Sequence, residues 1–165
     1  MEKLLTIDPY SNNDKEKVKV FEEEQGLGNV VSSALDSITS SFSEEEYQNM
    51  KNHSNTTEEY LAVLEGESIK DLYLIQLEKD RRTCQVSMIG KPKKRKMIII
   101  ITEYILNRLK MLEVFIKVNT SEKEMIKYLK SLGYENLGEE QETTIFLKEK
   151  SEKGITNNPN YETAR

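Results

Sequence analysis

Residues 112–134 read LEVFIKVNTSEKEMIKYLKSLGY, a strand and a helix joined by a short polar turn. Leu112–Val118 is rich in β-branched and aromatic residues, which suit a pleated, half-buried strand. Thr120 or Ser121 then offers a hydroxyl to the first free amides of a helix. Met125, Leu129 and Leu132 share one face of that helix, and Gly133 is the residue type that closes such a helix in a left-handed turn.

Upstream, Met97–Leu109 contains four consecutive isoleucines, which favour a strand by propensity. Ile101, Ile105 and Leu109 nevertheless recur every four residues over a segment long for a strand, and this spacing predicts a buried helix. Before it, Tyr60–Leu64, Ile69–Leu77 and Thr83–Ile89 are β-rich runs divided by Glu65-Gly66-Glu67 and Glu78-Lys79-Asp80, the pattern of an antiparallel meander. The N-terminal part reads as a strand at Lys3–Ile7, ended by Asp8-Pro9, and then three helices. The first runs from a cap at Asp14 to Glu24, followed by Asn29–Ser40 and Ser43–Asn52. Ser43 and Glu46 have the spacing of a capping box. Downstream, Tyr134–Gly138 and Thr143–Lys148 are the final strands. Ser151–Arg165 lacks apolar periodicity and is expected to be a disordered tail on a single domain spanning residues 1–150.

The longest apolar run, Met97–Ile101, falls far short of the ~20 residues of a membrane span. The opening Met1–Asp14 lacks the apolar centre of a secretory signal, so a cytoplasmic protein with no membrane partner is expected. The single Cys84 forms no internal disulfide, which suits a reducing compartment. Charge is unevenly placed. Residues 1–78 carry 6 Lys/Arg and 17 Asp/Glu, a net of −11, whereas residues 79–165 carry a net of +6. Much of the positive charge is Lys91-Pro92-Lys93-Lys94-Arg95-Lys96, so a partner of each sign, or one ligand with an anionic end, is implied. A lone His53 in a polar loop and a lone Cys84 on a strand have no spaced partners, which argues against zinc; no metal is expected.

The element order, with Val118-Asn119 before the later helix and Leu132-Gly133-Tyr134 after it, resembles the GNAT superfamily of acyl-CoA-dependent N-acetyltransferases. That resemblance runs over roughly Glu58–Lys148 and implies an α/β (α+β) fold: a mixed, mostly antiparallel sheet of six to seven strands flanked by helices. It implies acetyl-CoA as cosubstrate and direct attack by an amine acceptor, either a small molecule or a protein. Met88, Ile89 and Gly90 would hold pantetheine through the backbone, with Asn119 beside that arm. Lys94, Arg95, Lys96 and Met97 would meet the phosphates, and Tyr128 would be the acid that protonates the departing thiolate. Two positions depart from the family pattern. Its Gln/Arg-x-x-Gly-x-Gly/Ala signature aligns with Arg95-Lys96-Met97-Ile98-Ile99-Ile100, so isoleucines stand where glycine lets the backbone approach a pyrophosphate. Its helical tyrosine aligns with Leu129, and Tyr128 lies ~100° away around the helix.

Each feature also has a plainer reading. The basic loop can be solvated charge or a polyanion site, although the acidic remainder argues against nucleic acid. Asn119 can serve a local turn, Tyr128 can be a packed aromatic, and Cys84 a buried structural thiol. Glu22-Glu23-Glu24 and Glu44-Glu45-Glu46 can attract an amine or act as a general base, or can simply be solvated helical faces. The expected function is therefore an acetyl-CoA-dependent N-acetyltransferase, as a monomer or homodimer. The alternative is a catalytically weak or inactive acyl-CoA-binding or protein-interaction module on the same frame.

Overall fold

A computed structural model of the chain describes residues 2–151 and 161–163. The first half comprises β1 (Glu2–Thr6), α1 (Asn12–Gln25), α2 (Val30–Ser41), α3 (Glu44–His53), β2 (Thr56–Glu65), β3 (Ser68–Glu78) and β4 (Thr83–Ile89). The second comprises α4 (Met97–Asn107), β5 (Glu113–Asn119), α5 (Lys123–Ser131), β6 (Glu135–Glu140), β7 (Thr143–Glu149) and a short β8 (Tyr161–Thr163). The strands form one eight-stranded sheet in the order β6-β7-β5-β4-β3-β2-β1-β8. Pairing is antiparallel except at β4–β5 and β1–β8. A parallel β4–β5 pair needs a crossover, and α4 is that connection.

The Met97–Asn107 segment is helical, as its spacing predicts. Met97, Ile98, Ile101, Ile105 and Leu106 are all buried, so the helix is apolar nearly all round and lies within the core. The sheet separates two apolar clusters. One joins α4 and Met125 and Leu129 of α5 to Val86, Val114, Ile116, Val118 and Phe146. The other joins Val18 and Phe21 of α1 and Val31 and Leu35 of α2 to Leu5, Ala62, Leu64 and Leu72.

Local differences from the sequence reading have simple causes. Strand β2 begins at Thr56, not Tyr60, because Thr56–Glu59 pair with Glu78–Ile75 of the long β3. The cap of α1 is Ser11, whose hydroxyl accepts from the Asp14 amide at 3.1 Å. Asp14 is buried, and its Oδ2 accepts from the Asp8 amide at 2.9 Å. The Ser43–Glu46 capping box forms in both directions. Ser121 does not cap α5, because its amide and hydroxyl both donate to Asn119 Oδ1. Glu122 takes the cap position without a side-chain bond. Of the terminal stretch expected to lack structure, Tyr161–Thr163 pairs with Glu2–Leu4 as β8. The rest of that expectation falls on residues 152–160 and 164–165, outside the described residues.

Candidate functional site

The β4–β5 ladder runs from Thr83↔Glu113 to Ser87↔Lys117 and ends there. On their outer sides, both strands continue. Ile89 still pairs with Leu72 of β3, and Asn119 still pairs with Thr143 of β7. Two strands held by their outer neighbours but parted from each other leave a gap in the middle of the sheet. Met88, Ile89 and Gly90 border it on one side, Val118 and Asn119 on the other. Their mutually facing backbone edges therefore lie outside the ladder, where unpaired amide and carbonyl groups are ready hydrogen-bonding partners.

Alternation along the strands assigns the two faces. Met88 packs with the α4–α5 cluster, whereas Ile89 packs with the α1–α2 cluster. Gly90 leaves β4 at φ +75°, a conformation that side chains with a Cβ rarely adopt. The space around it is also filled, since a Cβ there would lie 3.0 Å from Gln25 Oε1 and 3.3 Å from Leu27 Cδ1. The Lys91 amide donates to that same Gln25 oxygen at 3.3 Å. The turn between α1 and α2 is thus fastened to the end of β4.

The basic loop is fastened from below. Asp71 of β3 is 2% exposed, and its Oδ1 accepts from the Lys93 amide at 2.8 Å. Its Oδ2 is buried without a partner. Burial pushes the Asp71 carboxyl above its ordinary range, against the opposing pull of the Lys93 and Lys94 amides and ammonium groups. Lys94 turns toward the far strands, pairing with Glu2 at 2.7 Å and Glu65 at 3.8 Å. Each partner shifts the other: Lys94 lowers the Glu2 carboxyl, and Glu2 raises the Lys94 ammonium. Arg95 turns the other way, with Nη1 3.2 Å from Glu124 and its guanidinium 5.6 Å from the Tyr128 ring centroid. Lys96 is exposed at the N-terminus of α4. Of the expected phosphate-binding side chains, Arg95 and Lys96 are exposed, Lys94 is paired with Glu2 and Glu65, and Met97 is buried in the core.

The isoleucines at the signature positions do not block the loop from outside. Ile98 is fully buried and Ile100 nearly so, with both side chains in the core beneath α4. The backbone at the start of α4 is already paired. The amides of Met97, Ile98 and Ile99 donate to the carbonyls of Lys94, Arg95 and Lys96, closing the first helical turn on itself. Such tight turns satisfy the amides that a helix N-terminus otherwise leaves free. Among the described residues, the amides of Arg95 and Lys96 have no acceptor.

On α5, Leu129 is fully buried, and half-buried Tyr128 turns toward Arg95. Asn119 stands at the open end of β5, with Oδ1 engaged by Ser121 at 2.8–2.9 Å. Cys84 is buried, and burial pushes its thiol up to about 12, which excludes it as a nucleophile near neutrality. His53 is exposed, with Nδ1 2.8 Å from the Asn49 carbonyl. Glu22 is buried and accepts from the Val31 and Ser32 amides and the Ser32 hydroxyl, so it caps α2. Glu46 serves the α3 cap. Gln25 and Asp71 were not marked by any motif. The signal for Asp71 is a lone carboxylate within the apolar run Ile69–Leu77 of a strand covered on both faces.

Among the described residues, no helix is long and apolar enough to cross a membrane, and no cluster of His, Cys, Asp and Glu could hold a metal. By sequence, the chain matches no family model and no curated protein. By structure, it is similar to the Campylobacter jejuni N-acetyltransferase PseH in complex with acetyl coenzyme A. The TM-score is 0.60 at 13% identity, covering 92% of this chain and 100% of that one. It is also similar to the dodecameric spermidine N-acetyltransferase of Vibrio cholerae (TM-score 0.59, 13% identity, 90% and 93% covered). The Thermoplasma acidophilum PaiA N-acetyltransferase with coenzyme A matches at 0.55 and 14% identity, covering 90% and 99%.

Proposed function

We propose that this chain, which has the fold of the GNAT N-acetyltransferases, transfers the acetyl group of acetyl-CoA to an amine by direct attack. The observation that carries this reading is the gap between the ends of β4 and β5. The residues present fit the cosubstrate. The unpaired edges at Met88–Gly90 and Val118–Asn119 suit the amides of a pantetheine arm, and the Arg95 and Lys96 amides and side chains suit its phosphates. Lys94 is neutralised by Glu2 and Glu65 and is left out of that set.

Catalysis by this chain is mostly positional. A backbone amide of β4 would polarise the thioester carbonyl, and the gap would hold that carbon in reach of the amine. The amine nitrogen bonds to the acyl carbon, the carbon–sulfur bond breaks, and the proton lost by nitrogen passes to solvent. A thiolate of ordinary pKa ~8.5 takes its proton from water or from the Tyr128 hydroxyl. One observation favours the second reading, a module that binds acyl-CoA without turnover: the first turn of α4 has its amides already paired. Titrating CoA and acetyl-CoA against melting temperature, then adding amines with free-thiol detection, separates the two. Stabilisation with thiol release supports the transferase, stabilisation alone supports the binding module, and the absence of both rules out a CoA site.

A further inference from the structure

Lys117 stands on the last β4–β5 rung, directly opposite Ser87. Its neighbours in sequence, Ile116 and Val118, are buried in the α4–α5 cluster, so Lys117 projects from the opposite face, the one that carries Ile89. It is half-buried, and among the described residues it has no ion pair. The adjacent positions on that face are Gln85, Ser87 and Ile89 of β4 and Thr143, Ile145 and Leu147 of β7, none of them a carboxylate. A half-buried lysine stem that holds its ammonium where no acid stands beside it offers a site for an anion.

From this placement, and resting on the acetyltransferase reading, we infer that the acceptor amine carries an anionic group and that Lys117 is the side chain that holds it. α4, α5 and the basic loop occupy the face from which the cosubstrate enters. The amine therefore approaches from the other face, beside the α1–α2 turn at Gly90. Lys117 lies about one strand rise, ~3.3 Å, before the open part of the gap. That distance sets the anion a few bonds from the nucleophilic nitrogen. The same ammonium repels the second charge of a diamine.

The test uses four two-carbon amines differing in the distal group: ethylenediamine, ethanolamine, β-alanine and 2-aminoethyl phosphate, each with acetyl-CoA and free-thiol detection. The wild-type chain is expected to favour the two anionic amines over ethanolamine by about tenfold or more in kcat/KM, with ethylenediamine slowest. The better of β-alanine and 2-aminoethyl phosphate identifies carboxylate or phosphate as the anion. Lys117→Ala is expected to remove the preference, and Lys117→Glu to invert it toward ethylenediamine. The rise in melting temperature with acetyl-CoA checks that each variant is folded and loaded. A wild-type preference for ethylenediamine, an unchanged order in Lys117→Glu, or no thiol release from any amine by loaded protein overturns the inference. No stabilisation by acetyl-CoA overturns the acetyltransferase reading itself, and the inference with it.

Discussion

The Arg95 guanidinium lies over the Tyr128 ring, 5.6 Å from its centroid, and joins the loop before α4 to the outer face of α5. With the 3.2 Å Arg95–Glu124 pair, this contact ties the loop to α5 at two points. Tyr128 and Leu129 are thereby distinguished: one ring lies beneath Arg95, and the neighbouring position is closed in the core.

Tyr128→Phe keeps the ring under Arg95 and is expected to retain the fold and most turnover. Leu129→Tyr, which moves a phenol to the family position, overpacks a filled site and is expected to cost about 1–3 kcal/mol. Urea melts and thiol-release rates of both variants check this. Loss of turnover in a folded Tyr128→Phe protein would instead make its hydroxyl the thiolate's acid, a role commonly worth ~100–10,000-fold.

Affinity for CoA is expected to fall as salt rises, because the proposed phosphate contacts are ionic. Arg95→Ala and Lys96→Ala should each weaken CoA more than dephosphorylated pantetheine in calorimetric titrations. Lys94→Ala should weaken it less, since Glu2 and Glu65 already engage that ammonium. Equal losses for CoA and pantetheine would rule out phosphate recognition by the loop.

Asp71 gives the fold a pH dependence of known sign. Its folded pKa is raised above the ordinary 3.8, so its contribution is fully present below that value and is lost as pH rises through the raised one. Asp71→Asn keeps an oxygen for the Lys93 amide and removes the buried charge. Denaturation at pH 4 and pH 7 should therefore show a smaller loss of stability with rising pH in the variant. Asp71→Ala removes the acceptor and should cost about 1 kcal/mol. A wild-type slope retained in Asp71→Asn would assign the pH dependence to other groups.

Gly90→Ala combines a positive φ with crowding by Gln25 and Leu27. It is expected to destabilise the chain by ~1–2 kcal/mol from backbone strain alone. Adding Gln25→Ala should recover only the part due to crowding, as a double-mutant cycle in chemical denaturant would measure.

Cys84 should resist thiol reagents at pH 8 in the native protein and react at once in urea, because its sulfur is buried and its proton tightly held. Native-state labelling at a rate near that of the unfolded chain would contradict the burial of β4.

Elements were legible where a local pattern and the final environment agree. The isoleucine run illustrates this: propensity points to a strand, but a four-residue recurrence over eleven residues can bury itself only as a helix. The Ser43–Glu46 cap is legible because both partners lie within one turn. The gap itself is not legible, since a strand ladder that stops at Ser87↔Lys117 depends on partners far apart in sequence. The same holds for Lys94, whose charge is evident but whose commitment to Glu2 crosses most of the chain. The pairing of the first-turn amides of α4 is likewise not revealed by residue identities alone.

Glu22 gives the N-terminal helices a shared fate. Its carboxylate is enclosed on α1, and all three of its donors belong to Val31 and Ser32 at the start of α2. Without those donors, docking α1 would strand a dehydrated charge, which is among the costliest states a protein interior can hold. In the finished molecule, the two helices detach or remain together as one cooperative unit. Because Leu27 sits in the turn between them against Gly90, any loosening of that unit is felt directly at the end of β4.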